Sequence, residues 1–195
     1  LKNQDFKGMF LALIALGGLP LGCASVPQQA KGTFSDRAVL LDVGFVRQGD
    51  PHLCGVAVLG MLTQYYGKPI PAPALKDLEK EASEKQGIKG ASLEGAFKQA
   101  GYHVAIFQGA LDKKAKGLYH HLDLRRPLIV MLSPEGAKEN HYQLVSGYDP
   151  QNGLVALLDP AKGPLAMPVA SFKASWERAN SFTLLAVPTE DGALR

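Results

Sequence analysis

Three side chains, Cys54, His141 and Asp159, are of the types that together carry out acyl transfer. A thiol attacks a carbonyl only when a base lies in reach and a third group orients that base. Taken alone, Cys54 reads as a small core residue on the apolar edge of a helix. The case for chemistry depends on whether the chain brings the other two groups to it.

The stretch Gln48–Gly67, QGDPHLCGVAVLGMLTQYYG, predicts a helix after Pro51. Its apolar residues Cys54, Ala57, Val58, Met61, Leu62 and Tyr65 follow the spacing of one buried face. Asp50 is the expected N-cap, and Gly67 followed by Pro69 is the stop signal. Cys54 therefore falls in the first turn, where unpaired backbone N–H groups and the positive end of the helix dipole favour an anion. Gly55 leaves room for another backbone. Gly60 costs about 1 kcal/mol relative to alanine within a helix, which predicts tight packing against it.

His141 and Asp159 are brought together by a hairpin. His141–Tyr148 and Gly153–Leu158 read as strands joined by Asp149-Pro150-Gln151-Asn152. So short a connection forces antiparallel pairing, which sets His141 opposite Pro160, give or take one residue. Opposed Cβ atoms lie roughly 4.5–5.5 Å apart and diagonal ones roughly 7–8 Å, so a carboxylate at Asp159 comes within reach of the imidazole. A surface His–Asp pair is the competing reading. Both residues adjoin strongly apolar strands, which predicts partial shielding from water. Spacing alone leaves open whether Cys54 faces them.

The remaining elements follow from pattern. Val39–Val46 is an extended segment, Pro71–Lys85 a second helix, and Ser92 the expected cap of a third that runs to Ala100. Tyr102–Phe107, Pro127–Leu132, Leu165–Val169 and Phe182–Val187 read as strands; Asp112–Leu122 and Ser171–Arg178 read as short helices. Helices first and strands afterwards give an α+β class. The His120-His121 pair lacks metal-ligand spacing and reads as exposed. No metal site and no cofactor is expected. At 195 residues and 46% hydrophobic content the chain makes one domain with a sizeable core. A net charge of +3 without a basic block gives no case for nucleic acid.

Lys2 and Lys7 precede an apolar run, Met9–Leu21, that ends in Leu21-Gly22-Cys23. The run is short for a bilayer span and reads as an export signal. Its end resembles a bacterial lipobox, which implies lipidation of Cys23 and, with Ala24 and Ser25 following, the outer membrane. The expected layout is a lipoprotein-type signal peptide at 1–22, a tether at 23–38, the folded domain at 39–188 and a tail at 189–195. With Cys23 lipidated, Cys54 has no disulfide partner, and a free thiol in an oxidising compartment points to reactivity.

Three blocks together resemble the C39 family of papain-like cysteine peptidases, the bacteriocin-processing group. They are Gln48…Cys54-Gly55-x-Ala57-x-Leu59, His141-Tyr-Gln-Leu-Val-Ser-Gly147-Tyr148-Asp149 and Leu158-Asp159-Pro160. Gly90-Ala-Ser-Leu93 and Pro127-Leu-Ile match in order, and the resemblance covers about residues 40–187. It implies a papain-like fold with N-terminal helices packed on a C-terminal antiparallel sheet. It also implies Cys54 as nucleophile, His141 as general base and acid, Asp159 as orienter, and Gln48 as oxyanion-hole donor. The sequence contains neither the membrane-spanning nor the ATPase domain of the transporter members, and no Walker motif. The expectation is a stand-alone cysteine peptidase of the cell envelope, facing the periplasm and tethered by lipid, that cleaves or matures an exported protein or peptide. The alternative is a peptide-binding adaptor or chaperone on the same fold.

Overall fold

The computed structural model describes residues 33–189. The signal peptide at 1–22, lipidation at Cys23, and most of the tether and tail lie outside the described residues. A two-residue strand β1 (Val39–Leu40) leads to a 3₁₀ turn (Pro51–Leu53) that runs directly into α1 (Cys54–Tyr66). Then come α2 (Ala72–Lys85), α3 (Gly90–Gln99), β2 (Tyr102–Gln108), α4 (Leu118–Asp123) and β3 (Leu128–Leu132). The chain continues through β4 (His141–Asp149), β5 (Leu154–Asp159), β6 (Gly163–Pro168), α5 (Val169–Arg178) and β7 (Phe182–Pro188).

The strands form one antiparallel sheet in the order β2-β7-β3-β4-β5-β6, with β1 added to β4. One edge of β4 is shared in sequence: β3 pairs with residues 141–145 and β1 takes over at 147–148. The other edge belongs to β5. The class is α+β, as the order of helices and strands predicts.

Helix α1 is buried between β4 and α2. Val58, Met61 and Leu62 lie on the expected stripe, and Leu59 and Thr63, off that stripe, are buried as well. Burying each large apolar side chain of this kind contributes about 1.5–3 kcal/mol. Gly67 ends the helix in the left-handed region at φ 65°, its N–H donating to the Gln64 and Thr63 carbonyls.

Several local expectations are corrected. The Asp50 carboxylate caps the 3₁₀ turn, accepting from His52 N–H at 2.9 Å, and no side chain caps α1 itself. Helix α3 starts at Gly90, ahead of Ser92. Glu81 of α2 substitutes for a local cap by accepting from Lys89 N–H at 3.3 Å and from the Ser92 hydroxyl, a carboxylate at the positive end of the helix. Helix α4 occupies only the last turn of the range expected, and it rotates His121 inward. That imidazole is buried, bonded through Nε2 to the Ala115 carbonyl at 3.1 Å. Gly153, expected in β5, belongs to the hairpin turn at φ 62°. Gly60 is not tightly packed: a methyl there would meet only Val46 at 3.9 Å.

Gly147 is the glycine on which the sheet depends. A Cβ at this position would sit 2.3 Å from the Val39 carbonyl oxygen and 2.8 Å from Leu40 Cδ2. Glycine at 147 is therefore what lets β1 close against β4. Gly147→Ala should destabilise the fold by about 1–3 kcal/mol, in the range of overpacked cores, in urea unfolding. Gly49→Ala, where a Cβ meets nothing within 4 Å, should be near neutral. Equal stability of the two variants would refute this account of β1.

Candidate active site

The thiol sits at the first residue of α1, 8% exposed and in no disulfide among the described residues. The first turn of the helix lies across the start of β4. A Cβ on Gly55 would come within 3.3 Å of Ile88 and 3.4 Å of Tyr142. Side chains, not the expected backbone, occupy the space left by that glycine. The Tyr142 hydroxyl donates to the Ile88 carbonyl at 3.1 Å, and burial keeps its pKa well above the ordinary phenol value, so it stays a donor. The segment after α2 is thereby pinned to β4, forming one wall of a cleft of about 320 Å³. Cys54, Ile88, Lys89, Met131, Asn140 and Tyr142 are among its lining residues.

The hairpin register shows why His141 and Asp159 meet. Leu144 pairs with Leu158 and Val145 with Leu157, before a bulge between Val145 and Gly147 shifts the remaining pairs by one. Continuing the outer register sets Gln143 opposite Asp159 and His141 on the diagonal. The imidazole spans that diagonal: His141 Nε2 lies 2.9 Å from Asp159 Oδ1. Cys54 is the other group that acts on the ring, by hydrogen bonding and by charge. The structure thus brings three of the four expected residues into one hydrogen-bonded line.

Electrostatics follow from that line. Burial pushes the His141 pKa down, but hydrogen bonds to Asp159 and Cys54 and the charges of both lift it to about 9. Burial alone would raise the Asp159 carboxyl. Hydrogen bonds from His141, Ala161 N–H and Lys162 N–H, with the imidazolium charge, hold it below the ordinary carboxylate value. Asp159 is 1% exposed, so its charge depends on such partners.

Gln48 reaches the same region by another route. Its backbone N–H donates to the Pro160 carbonyl at 3.1 Å, and the neighbouring Arg47 Nη1 donates to the Ala161 carbonyl at 2.7 Å. The side-chain Nε2 donates to the Asp50 carbonyl at 2.9 Å, which leaves the second amide hydrogen uncommitted by that bond. Gln48 does not line the cleft that holds Cys54. It borders a second cavity of about 360 Å³, with Leu53, Val56, Gly60, Ile70 and Leu75. Among the described residues no group of three or more His, Cys, Asp or Glu side chains could hold a metal ion.

One site residue was missed from the sequence. Gln143, 4% exposed, donates through Nε2 to Asp159 Oδ2 at 2.8 Å. The available signal was its polarity two residues after His141, and so on the same strand face, within an otherwise apolar run.

The His141 titration tests the ion-pair line. In NMR of the imidazole the midpoint should lie near 9, and Asp159→Asn should bring it down toward the ordinary 6.5. The folded value exceeds the unfolded one, so the stability contributed by His141 is present below pH 6.5 and fades as pH rises from 6.5 to 9. Asp159 behaves in the opposite sense: its contribution holds above the ordinary carboxylate value and is lost as pH falls through its lowered one. A wild-type midpoint at 6.5 would exclude the pairing.

Residues 42–190 match the model of the peptidase C39 family. The chain is 26% identical over 131 residues to the Lactococcin-G-processing and transport ATP-binding protein LagD of Lactococcus lactis subsp. lactis, a match covering 67% of this chain and 17% of that protein. It thus spans less than a fifth of the length of the curated relatives it matches. Among solved structures, the peptidase domain of Streptococcus ComA, a bi-functional ABC transporter, superposes with a TM-score of 0.58 at 24% identity, over 74% of this chain and 98% of that one. A double glycine motif protease from an AMS/PCAT transporter, in complex with its leader peptide, gives 0.60 at 21% identity, over 77% and 94%. Both likenesses extend to the papain-like fold. With its family model matched from ahead of α1 through β7, the chain belongs to the peptidase C39 family.

Proposed function

We propose that this protein is a cysteine peptidase that cleaves or matures an exported protein or peptide, tethered to the cell envelope by lipid on Cys23. The observation that carries the catalytic reading is the line Cys54–His141–Asp159, in which the ring is hydrogen-bonded to Asp159 and Cys54 lines a 320 Å³ cleft. With the His141 pKa raised to about 9, the imidazolium form is available at neutral pH beside the thiol.

In this reading the Cys54 proton passes to His141, Cys54 Sγ attacks the scissile carbonyl carbon as the thiolate, and the carbonyl π electrons move to oxygen. Gln48 and the Cys54 backbone N–H serve as donors to that oxyanion. The intermediate collapses as the C–N bond breaks, and His141 gives its Nδ1 proton to the leaving amine. Water, deprotonated by the now neutral imidazole, then adds to the thioester carbonyl; the C–S bond breaks, the carboxyl product leaves, and the thiolate–imidazolium pair is restored. Asp159 holds the ring with Nδ1 toward sulfur throughout.

The test is incubation of purified protein with exported proteins of its host, read by mass spectrometry of new termini. Wild type should generate termini that Cys54→Ala does not. Asp159→Asn should lower cleavage steeply; the corresponding change in a serine triad costs roughly 10⁴-fold, and less is expected with an intrinsically nucleophilic thiolate. Gln48→Ala should lower kcat by roughly 10²–10³ while leaving iodoacetamide alkylation of Cys54 unchanged, since an oxyanion donor acts on the intermediate. Near-wild-type cleavage by Asp159→Asn would overturn the assignment.

The tether is tested separately. A fatty-acid analogue supplied to growing cells should label wild type and not Cys23→Ser; equal labelling would remove lipid from the proposal.

A further inference from the structure

The environment of Gln143 is unusual for a buried amide. It lies on β4 between Tyr142 and Leu144, 4% exposed, and its Nε2 donates to Asp159 Oδ2 at 2.8 Å. Its own Oε1 is buried with no partner among the described residues. The amide cannot be turned round to satisfy that oxygen, because it would then face a carboxylate oxygen at the same distance with no proton between them. The fold therefore accepts an unsatisfied acceptor in order to present one donor to Asp159. Meanwhile Oδ1 accepts from His141, Ala161 N–H and Lys162 N–H. The two oxygens are thus divided: Oδ1 faces the ring and the turn, and Gln143 is the side chain that holds Oδ2.

We propose that Gln143 is a positioning residue for the site. It fixes the rotation of the Asp159 carboxylate so that Oδ1 is committed to His141, and it keeps the carboxylate ionised by satisfying the oxygen that the imidazole leaves bare. Hydrogen bonds to the charged form favour it, and an ionised Asp159 sustains the imidazolium beside Cys54. Gln143 does not line the cleft; it acts through Asp159. This inference rests on the cysteine peptidase reading above, and its test is chosen to need no peptide substrate.

Alkylation of Cys54 by iodoacetamide is measured from pH 5 to 9 in wild type, Gln143→Met and Gln143→Glu, with circular dichroism to establish the fold. Gln143→Met keeps the volume and removes the donor; at pH 6 it should react about tenfold more slowly, with the gap closing by pH 9, where a free thiol of pKa about 8.5 ionises unaided. Gln143→Glu, its carboxyl kept protonated at pH 6 by the neighbouring carboxylate, can again donate to Oδ2 and should recover to within about twofold of wild type. A purely packing role predicts no such pH-dependent gap and no rescue. A folded Gln143→Met with the wild-type rate at pH 6 overturns the proposal, as does a Gln143→Glu as slow as Gln143→Met. If Gln143→Met does not fold, Gln143→Asn, which draws the amide back by one methylene, replaces it with the same expected loss. Absence of cleavage by wild type would defeat the peptidase reading and leave this measurement intact.

Discussion

A carboxylate with 1% of its surface exposed is tolerated only where every lone pair finds a donor. At Asp159 four donors meet: the imidazole, an amide side chain and two N–H groups of the following turn. The turn so formed presents the Pro160 and Ala161 carbonyls outward, and these accept from Gln48 N–H and the Arg47 side chain. The segment leading into α1 is registered on the end of the hairpin by that exchange. One buried charge thus ties the helix that carries the thiol to the strands that carry the base.

The second constraint is the crossing of α1 over β4. Consecutive residues of a strand point to opposite faces, so His141 and Tyr142 engage different partners: the ring meets Cys54 and Asp159, and the phenol supports Ile88. Cys54 and Gly55, also consecutive, match them, one with sulfur and one with the absence of a side chain. Contacts of 3.3–3.4 Å around a virtual Gly55 Cβ leave little freedom in how the helix sits. The cleft wall and the reacting line are positioned by the same two pairs of residues.

Much of this was readable because it depends on local periodicity. The α1 stripe, the hairpin and the diagonal His141–Asp159 approach follow from helix and strand repeats and a short turn. The bulge at Ser146 stayed invisible, yet it lies between the turn and the site, and the offset it introduces fell within the one-residue tolerance of the register. Local cap rules failed where tertiary contacts replaced them. Glu81 on a neighbouring helix serves the start of α3 in place of Ser92, and the start of α1 is reserved for the site, so Asp50 caps the turn before it. His121 was misread because the segment ahead of α4 is not helical and brings the Ala115 carbonyl to the ring. Gln143 could be seen as an oddity, but its donor role emerges only from the register.

The hairpin has a second end. At the turn, the Asp149 carboxylate accepts from Ser35 N–H at 2.6 Å and Ser35 Oγ at 2.7 Å, and Asn152 Nδ2 donates to the Thr33 carbonyl at 3.2 Å. The described chain therefore begins clasped to the opposite end of β4 from His141. The strand has nine residues, so the separation is roughly 27 Å at about 3.3–3.4 Å per step. Thr33 and Ser35, where the described chain begins, are thus held that far along the strand from His141. The hairpin acts as a rigid spacer, strand geometry setting the separation between the clasp at Thr33 and Ser35 and the imidazole at its other end.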